Sequence, residues 1–149
     1  MEGSTVAADN ILPLISFKLG NEEYAVDIIK VHEINRIPEI ATVPNSEDYI
    51  EGVVNLRGKI IPVVNLRKKF GMPEWDTDDR SRIIIMDLQG IMMGILVDSV
   101  AEVLRIPPDI MEPAPEIASS ISKKFIKGIA QLDERLAILI DIDRLMEES

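Results

Sequence analysis

Two stretches of this chain, opening at Gly52 and at Gly128, align residue for residue without a gap. Gly52-Val-Val-Asn-Leu faces Gly128-Ile-Ala-Gln-Leu, and Ile60-Ile-Pro-Val-Val-Asn-Leu-Arg faces Leu136-Ala-Ile-Leu-Ile-Asp-Ile-Asp. In the first copy, two runs rich in β-branched residues flank Arg57-Gly58, the pattern of a β-hairpin with a tight turn. In the second copy Asp133-Glu134 takes the turn. A second match lies upstream of each hairpin. Val26-Asp27 and, after two extra residues, Lys30 to Ile37 face Val97-Asp98 and Ser99 to Ile106, which sets Glu33 opposite Glu102 and Arg36 opposite Arg105. Two matches in the same order imply duplication. The chain is expected to be one domain over 12–146, built from related subdomains 12–70 and 82–146. Residues 71–81 form an acidic linker carrying Trp75, and residues 1–11 form a disordered tail. The stretch between the two matches runs from 37 to 52 in one half and from 106 to 128 in the other; the extra length falls in a Pro-rich connection.

The halves read as mostly β, about ten short strands in antiparallel hairpins at regular spacing, closed into two small barrels that hide their edges. Short helices are expected at the ends of the repeats, over Leu66 to Phe70 and Asp143 to Glu148, with Asp143 as a cap. Ser46 is expected to cap a helical turn ending at Tyr49. Hydrophobic residues make up 46% of the chain but aromatics only 4%, so the cores are aliphatic.

A formal charge of −10 argues against binding nucleic acid or anionic membrane surfaces, both of which need a basic face. With no cysteine, there is neither a disulfide framework nor a thiolate nucleophile. The first ten residues lack the basic and apolar regions of a secretory leader, and the apolar runs fall far short of a membrane span. A cytoplasmic protein without membrane insertion is the expectation.

Catalytic constellations do not stand out. His32 is the single histidine, no serine sits in a nucleophile elbow, and no Gly-rich phosphate loop follows a strand. Asp141 and Asp143 lie near Asp133 and Glu134 but lack the spacing of a calcium loop. No cofactor, metal or enzymatic activity is therefore expected, and the chain offers binding surfaces. One residue exceeds what a hairpin needs: Arg57 occupies a turn position that Asn or Asp fills more readily. Two other readings remain open at this point, an acidic β-barrel enzyme or small-molecule binder, and a self-assembling structural module.

Gly-Asn-Glu-Glu-Tyr-Ala-Val-Asp-Ile at 20–28, Lys-Val-His-Glu-Ile at 30–34, the run from Gly52 to Arg67 with its Asn-Leu-Arg-Gly and Ile-Pro-Val-Val segments, and Gly-Ile-Leu-Val-Asp-Ser-Val at 94–100 resemble the CheW family of bacterial chemotaxis coupling proteins. The resemblance covers residues 12–146. It implies two five-stranded SH3-like barrels and a non-catalytic adaptor. It further implies two partners: the cytoplasmic tip of methyl-accepting chemoreceptors and the regulatory domain of the histidine kinase CheA. The family's receptor-binding groove lies between its barrels, at positions matching Val31, Glu33, Arg57, Val100 and Val103. The kinase or ring contact matches Gly52 and the loop from Glu112 to Ile117. A monomer when alone, recruited into receptor arrays, is what the family leads one to expect. An ion pair between Arg57 and Glu33 is the expectation for the groove wall.

Overall fold

A computed structural model describes residues 11–73, 76–113 and 123–147. Its strands are β1 (Leu12–Leu19), β2 (Glu22–Asp27), β3 (Val31–Asn35), β4 (Ile50–Leu56), β5 (Lys59–Asn65), β6 (Arg82–Leu88), β7 (Ile91–Val97), β8 (Ser99–Ile106), β9 (Met111–Glu112), β10 (Ile126–Leu132) and β11 (Arg135–Ile140). Two short helices follow the long hairpins, α1 (Leu66–Lys69) and α2 (Ile142–Glu147). The fold is mostly β, with two sheets that form two SH3-like barrels. One sheet runs β8-β1-β2-β11-β10-β9 and the other β3-β6-β7-β5-β4.

The compact units do not follow the two halves of the sequence. Unit 1 combines the residues up to Ile29 with those from Ala101 onward, and unit 2 is Lys30–Val100. Each sheet takes a β-hairpin from one half and its remaining strands from the other. The β1–β2 hairpin joins β8, β10 and β11, while β6–β7 joins β3, β4 and β5. The subdomain boundaries 12–70 and 82–146 therefore describe the repeat but not the packed bodies. The cause lies in the duplication itself: hairpins with the same inward pattern fit either partner set, and burial fixes register without fixing which copy is used.

Within each unit the ladders superimpose the repeats more fully than the sequence match does. Val63 pairs Gly94 in parallel, and Leu139 pairs Ala25 in parallel. Since Val63 and Leu139 are counterparts, so are Gly94 and Ala25. The antiparallel pairs Ile84↔Ile95 and Ile15↔Val26 agree with this assignment. Residues 12–37 thus correspond to 81–106 at one constant offset. The two-residue insertion and the pairing of Val26-Asp27 with Val97-Asp98 are not needed. Gly94 and Ala25 are both small: a Cβ on Gly94 would meet the side-chain end of Ile83, Cδ1, at 2.7 Å.

Both long hairpins carry the same irregularity, a register shift between Ile50 and Gly52 and another between Ile126 and Gly128. Val53 and Ile129 occupy like positions, paired with Pro62 and Ile138. Val53 also bridges Ala41, and Ile129 pairs Glu112. Caps correspond too. Asn65 accepts from Lys68 N at the start of α1, and Asp141 accepts from Arg144 N at the start of α2. Asp141 is therefore the cap predicted at Asp143. Ser46 donates to the Val43 carbonyl in a turn, and no helix forms there.

Two aliphatic clusters fill the barrels. Leu14, Ala25, Leu104, Ile106, Ala130, Ala137 and Leu139 pack in unit 1, with Met111 and Leu132 against them. Val54, Ile61, Val63, Ile83, Ile85 and Leu96 pack in unit 2, with Leu56 and Met92 among the partly buried residues at their margin.

Candidate functional site

The β4–β5 turn explains why an arginine can stand at its tip. Arg57 and Gly58 both take positive φ, 53° and 86°, as a tight hairpin of right-handed twist requires. Asn55 Oδ1 accepts from Gly58 N at 2.9 Å and braces the turn from inside. Arg57 is left with its guanidinium outside the ladder, and Nη2 donates to Glu33 Oε2 on β3. Asn35 Nδ2 donates to the other oxygen, Oε1, at 3.0 Å. Those two donors, Asn35 first and Arg57 second, hold the Glu33 carboxyl below the usual carboxylate range. The expected Arg57–Glu33 pair is present.

Beside the pair lies a depression of about 120 Å³ lined by His32, Glu33, Leu56, Arg57, Lys59, Ile61 and Met92. Its floor is the end of the unit 2 core, and its rim is charged.

The other positions distribute as follows. Val31 is on β3, two residues before Glu33 and across a bulge from it, and Val100 is on the first part of β8; both are half-buried residues of unit 2. Val103 belongs to unit 1 and is 49% exposed, although Leu104 and Ile106 beside it are buried. None of the three valines is a buried core residue. Gly52 is itself buried at the β4 bulge with φ +150°, and a Cβ there would lie 2.1 Å from the Ala41 carbonyl oxygen. Its glycine is required by backbone contact, and it presents no side chain. Glu112 is the exposed last residue of β9, and the expected loop beyond Pro113 lies outside the described residues; Glu112 lies in unit 1, whereas Gly52 lies in unit 2. Ile117 and Trp75 fall outside the described residues, as does the tail up to residue 10.

The sequence reading missed a second polar cluster, in unit 1. Glu102, the counterpart of Glu33, accepts from Arg135 Nη2. The same guanidinium reaches Glu23 through Nε at 2.9 Å, and the Glu23 side chain is only 6% exposed. Glu23 and Glu102 together raise the pKa of Arg135. The signal was present in the Glu33–Glu102 match. What concealed it was the arginine, which has moved from the turn itself to the first residue after it.

Two barrels of one repeat, each with an ion pair at one core end and half-exposed valines on β3 and β8, define a double-barrel binding module. The sequence profile of the CheW-like domain matches residues 13–149. The chain is 37% identical over 146 residues to the chemotaxis protein CheW of Klebsiella aerogenes, covering 98% of this chain and 86% of that one. It is 35% identical to a probable chemotaxis protein CheW of Rhizobium etli, over 91% of this chain and 88% of the relative. Its fold matches the crystal structure of the scaffolding protein TtCheW from Thermoanaerobacter tengcongensis with a TM-score of 0.83 and 38% identity, covering 91% of this chain and 87% of that one. The chain belongs to the CheW family. Its role is that of a chemotaxis coupling adaptor.

Proposed function

We propose that this adaptor is non-catalytic and cytoplasmic, and that it links the cytoplasmic tip of methyl-accepting chemoreceptors to the regulatory domain of CheA. Val31, Glu33, Arg57, Val100 and Val103 contact the receptor, and Glu112 with Ile117 contributes to the kinase or ring contact. Gly52 serves that contact by letting the chain at Ala41 approach β4. The observation that carries the reading is the Arg57–Glu33 pair, a placed polar group beside apolar surface on β3. Such pairs fix register and partner choice more than affinity. Among the described residues no helix is long and apolar enough to cross a membrane.

The test is a double-mutant cycle read by calorimetry against a receptor cytoplasmic fragment. Arg57→Ala and Glu33→Ala should each weaken binding by about tenfold, with melting temperature little changed, because an exposed pair contributes little to folding. The double variant should lose less than the product of the two fold-losses. Strict additivity would show that the residues act separately, and wild-type affinity in both single variants would remove the pair from the contact.

A further inference from the structure

The depression between Arg57 and Met92 is distinct from the valines that mark the receptor contact, and the corresponding place in unit 1 holds an ion cluster. The parallel registers make Glu23 the counterpart of Met92. In unit 1 that glutamate is tied to Arg135, which also binds Glu102, so an ionic plug closes the core end. In unit 2 the same place holds the thioether of Met92, which leaves an apolar floor of Leu56, Ile61 and Met92 open to solvent. The rim is unlike as well. Lys59 has no acidic partner among the described residues, in a chain whose formal charge is −10. Ile60 and Ile91, next in sequence to Lys59 and Met92, are 63% and 62% exposed. Continuing the Val63↔Gly94 register sets these two isoleucines level on neighbouring strands.

We propose that this opening receives one aliphatic side chain of the receptor's helical tip, while a carboxylate beside that side chain is bound by Lys59. The inference rests on the receptor reading above and names the anchor it would use. Size favours one side chain over a free ligand. The volume is about 120 Å³, slightly below the ~150 Å³ apolar cavity that admits benzene and well under the roughly 300 Å³ at which small-molecule pockets begin. Charge favours an acidic neighbour, since Arg57 is already engaged by Glu33 and Lys59 is free to receive one. A methionine floor adapts to Leu, Ile or Met alike. Ile60 and Ile91 fall on the opposite face of β5 and β7 from Ile61 and Met92, so the anchor does not use them.

The experiment uses the full chain and a receptor cytoplasmic fragment, with calorimetry at low and high salt. Lys59→Glu should weaken binding about tenfold and flatten its salt dependence. Met92→Trp, which fills the opening, should weaken it at least as much. Lys59 is exposed, so its variant keeps the test valid should Met92→Trp prove unstable. A panel of receptor fragments, each with one acidic residue changed to Lys, should contain one that restores affinity for Lys59→Glu alone. Wild-type affinity in Lys59→Glu and Met92→Trp while Arg57→Ala still binds weakly would overturn the anchor and leave the receptor reading standing. Failure of any fragment to rescue Lys59→Glu would overturn the carboxylate contact. No binding by the wild-type chain would overturn the receptor reading itself.

Discussion

At the Arg135 end of unit 1, Glu23, Glu102 and Arg135 meet over the core; at the corresponding end of unit 2, Arg57 and Glu33 meet across an opening floored by Met92. The ladders beneath are the same, with matching registers, matching bulges and matching helix caps. Three exchanges separate the ends: Met92 for Glu23, Lys59 for Arg135, and Arg57 for Asp133. Each acts through a side chain at a position that the shared backbone already aims at the core end. The comparison shows how a duplicated fold diverges in function. Conformation is kept by the ladder, while the identity of a few terminal side chains decides whether a barrel end is sealed or available.

The strongest way to break that correspondence is at the bulges. Gly52→Ala forces a Cβ against the Ala41 carbonyl at φ +150°, and should destabilise the chain by about 3 kcal/mol. At Gly128 the Cβ would meet the Glu112 carbonyl at 3.3 Å, so Gly128→Ala should lose about 1 kcal/mol or less. Urea melts of the two variants check this, and equal losses would show that the bulges are packed alike. For the same reason any larger residue at Gly52 should act through misfolding, and a kinase-binding defect there has to be read against stability.

A smaller effect sharpens the contrast between the ends. Arg135→Ala leaves Glu23 buried without its cation and should lower the urea midpoint clearly, whereas Arg57→Ala, at an exposed tip, should leave it nearly unchanged. Adding Glu23→Met to Arg135→Ala gives unit 1 the residue that unit 2 uses, and should recover most of the loss. No recovery would mean that the plug is more than a balanced charge. The smallest effect is a titration. Glu33 has a depressed pKa, so its contribution is complete above the ordinary carboxylate range and fades as pH falls through the folded value. A carboxyl NMR titration should find Glu33 below that range, with Asn35→Ala and Arg57→Ala each raising it.

Much of this was legible in residue order. The hairpins announced themselves through β-branched runs and the Gly58 turn. Arg57 stood out because a hairpin tip does not need it, and Glu33 was the carboxylate on the strand beside it. The exchange of hairpins between barrels was not legible, because Leu14, Ala25 and their counterparts Ile83 and Gly94 satisfy either core equally well as a pattern. Glu102–Arg135 stayed hidden because the ungapped match sets Asp133 against Arg57, so the second ion pair looked lost when it had only changed its donor's position. Gly52 drew a functional reading because nothing in the sequence reveals that Ala41 crosses β4 there. Asp141 lost its capping role to Asp143 on paper, although its counterpart Asn65 precedes the first helix in the same way.

The parallel pairing of β2 with β11 has one more outcome. Both strands run away from Glu23 and Arg135, and β1, antiparallel to β2, starts where they finish, with Leu14 beside Asp27. The first strand therefore enters and the last strand leaves at one rim of the same sheet, opposite the ionic plug. Ile11 and Asp141, the residues flanking those two strands, therefore meet the sheet at the rim away from the plug.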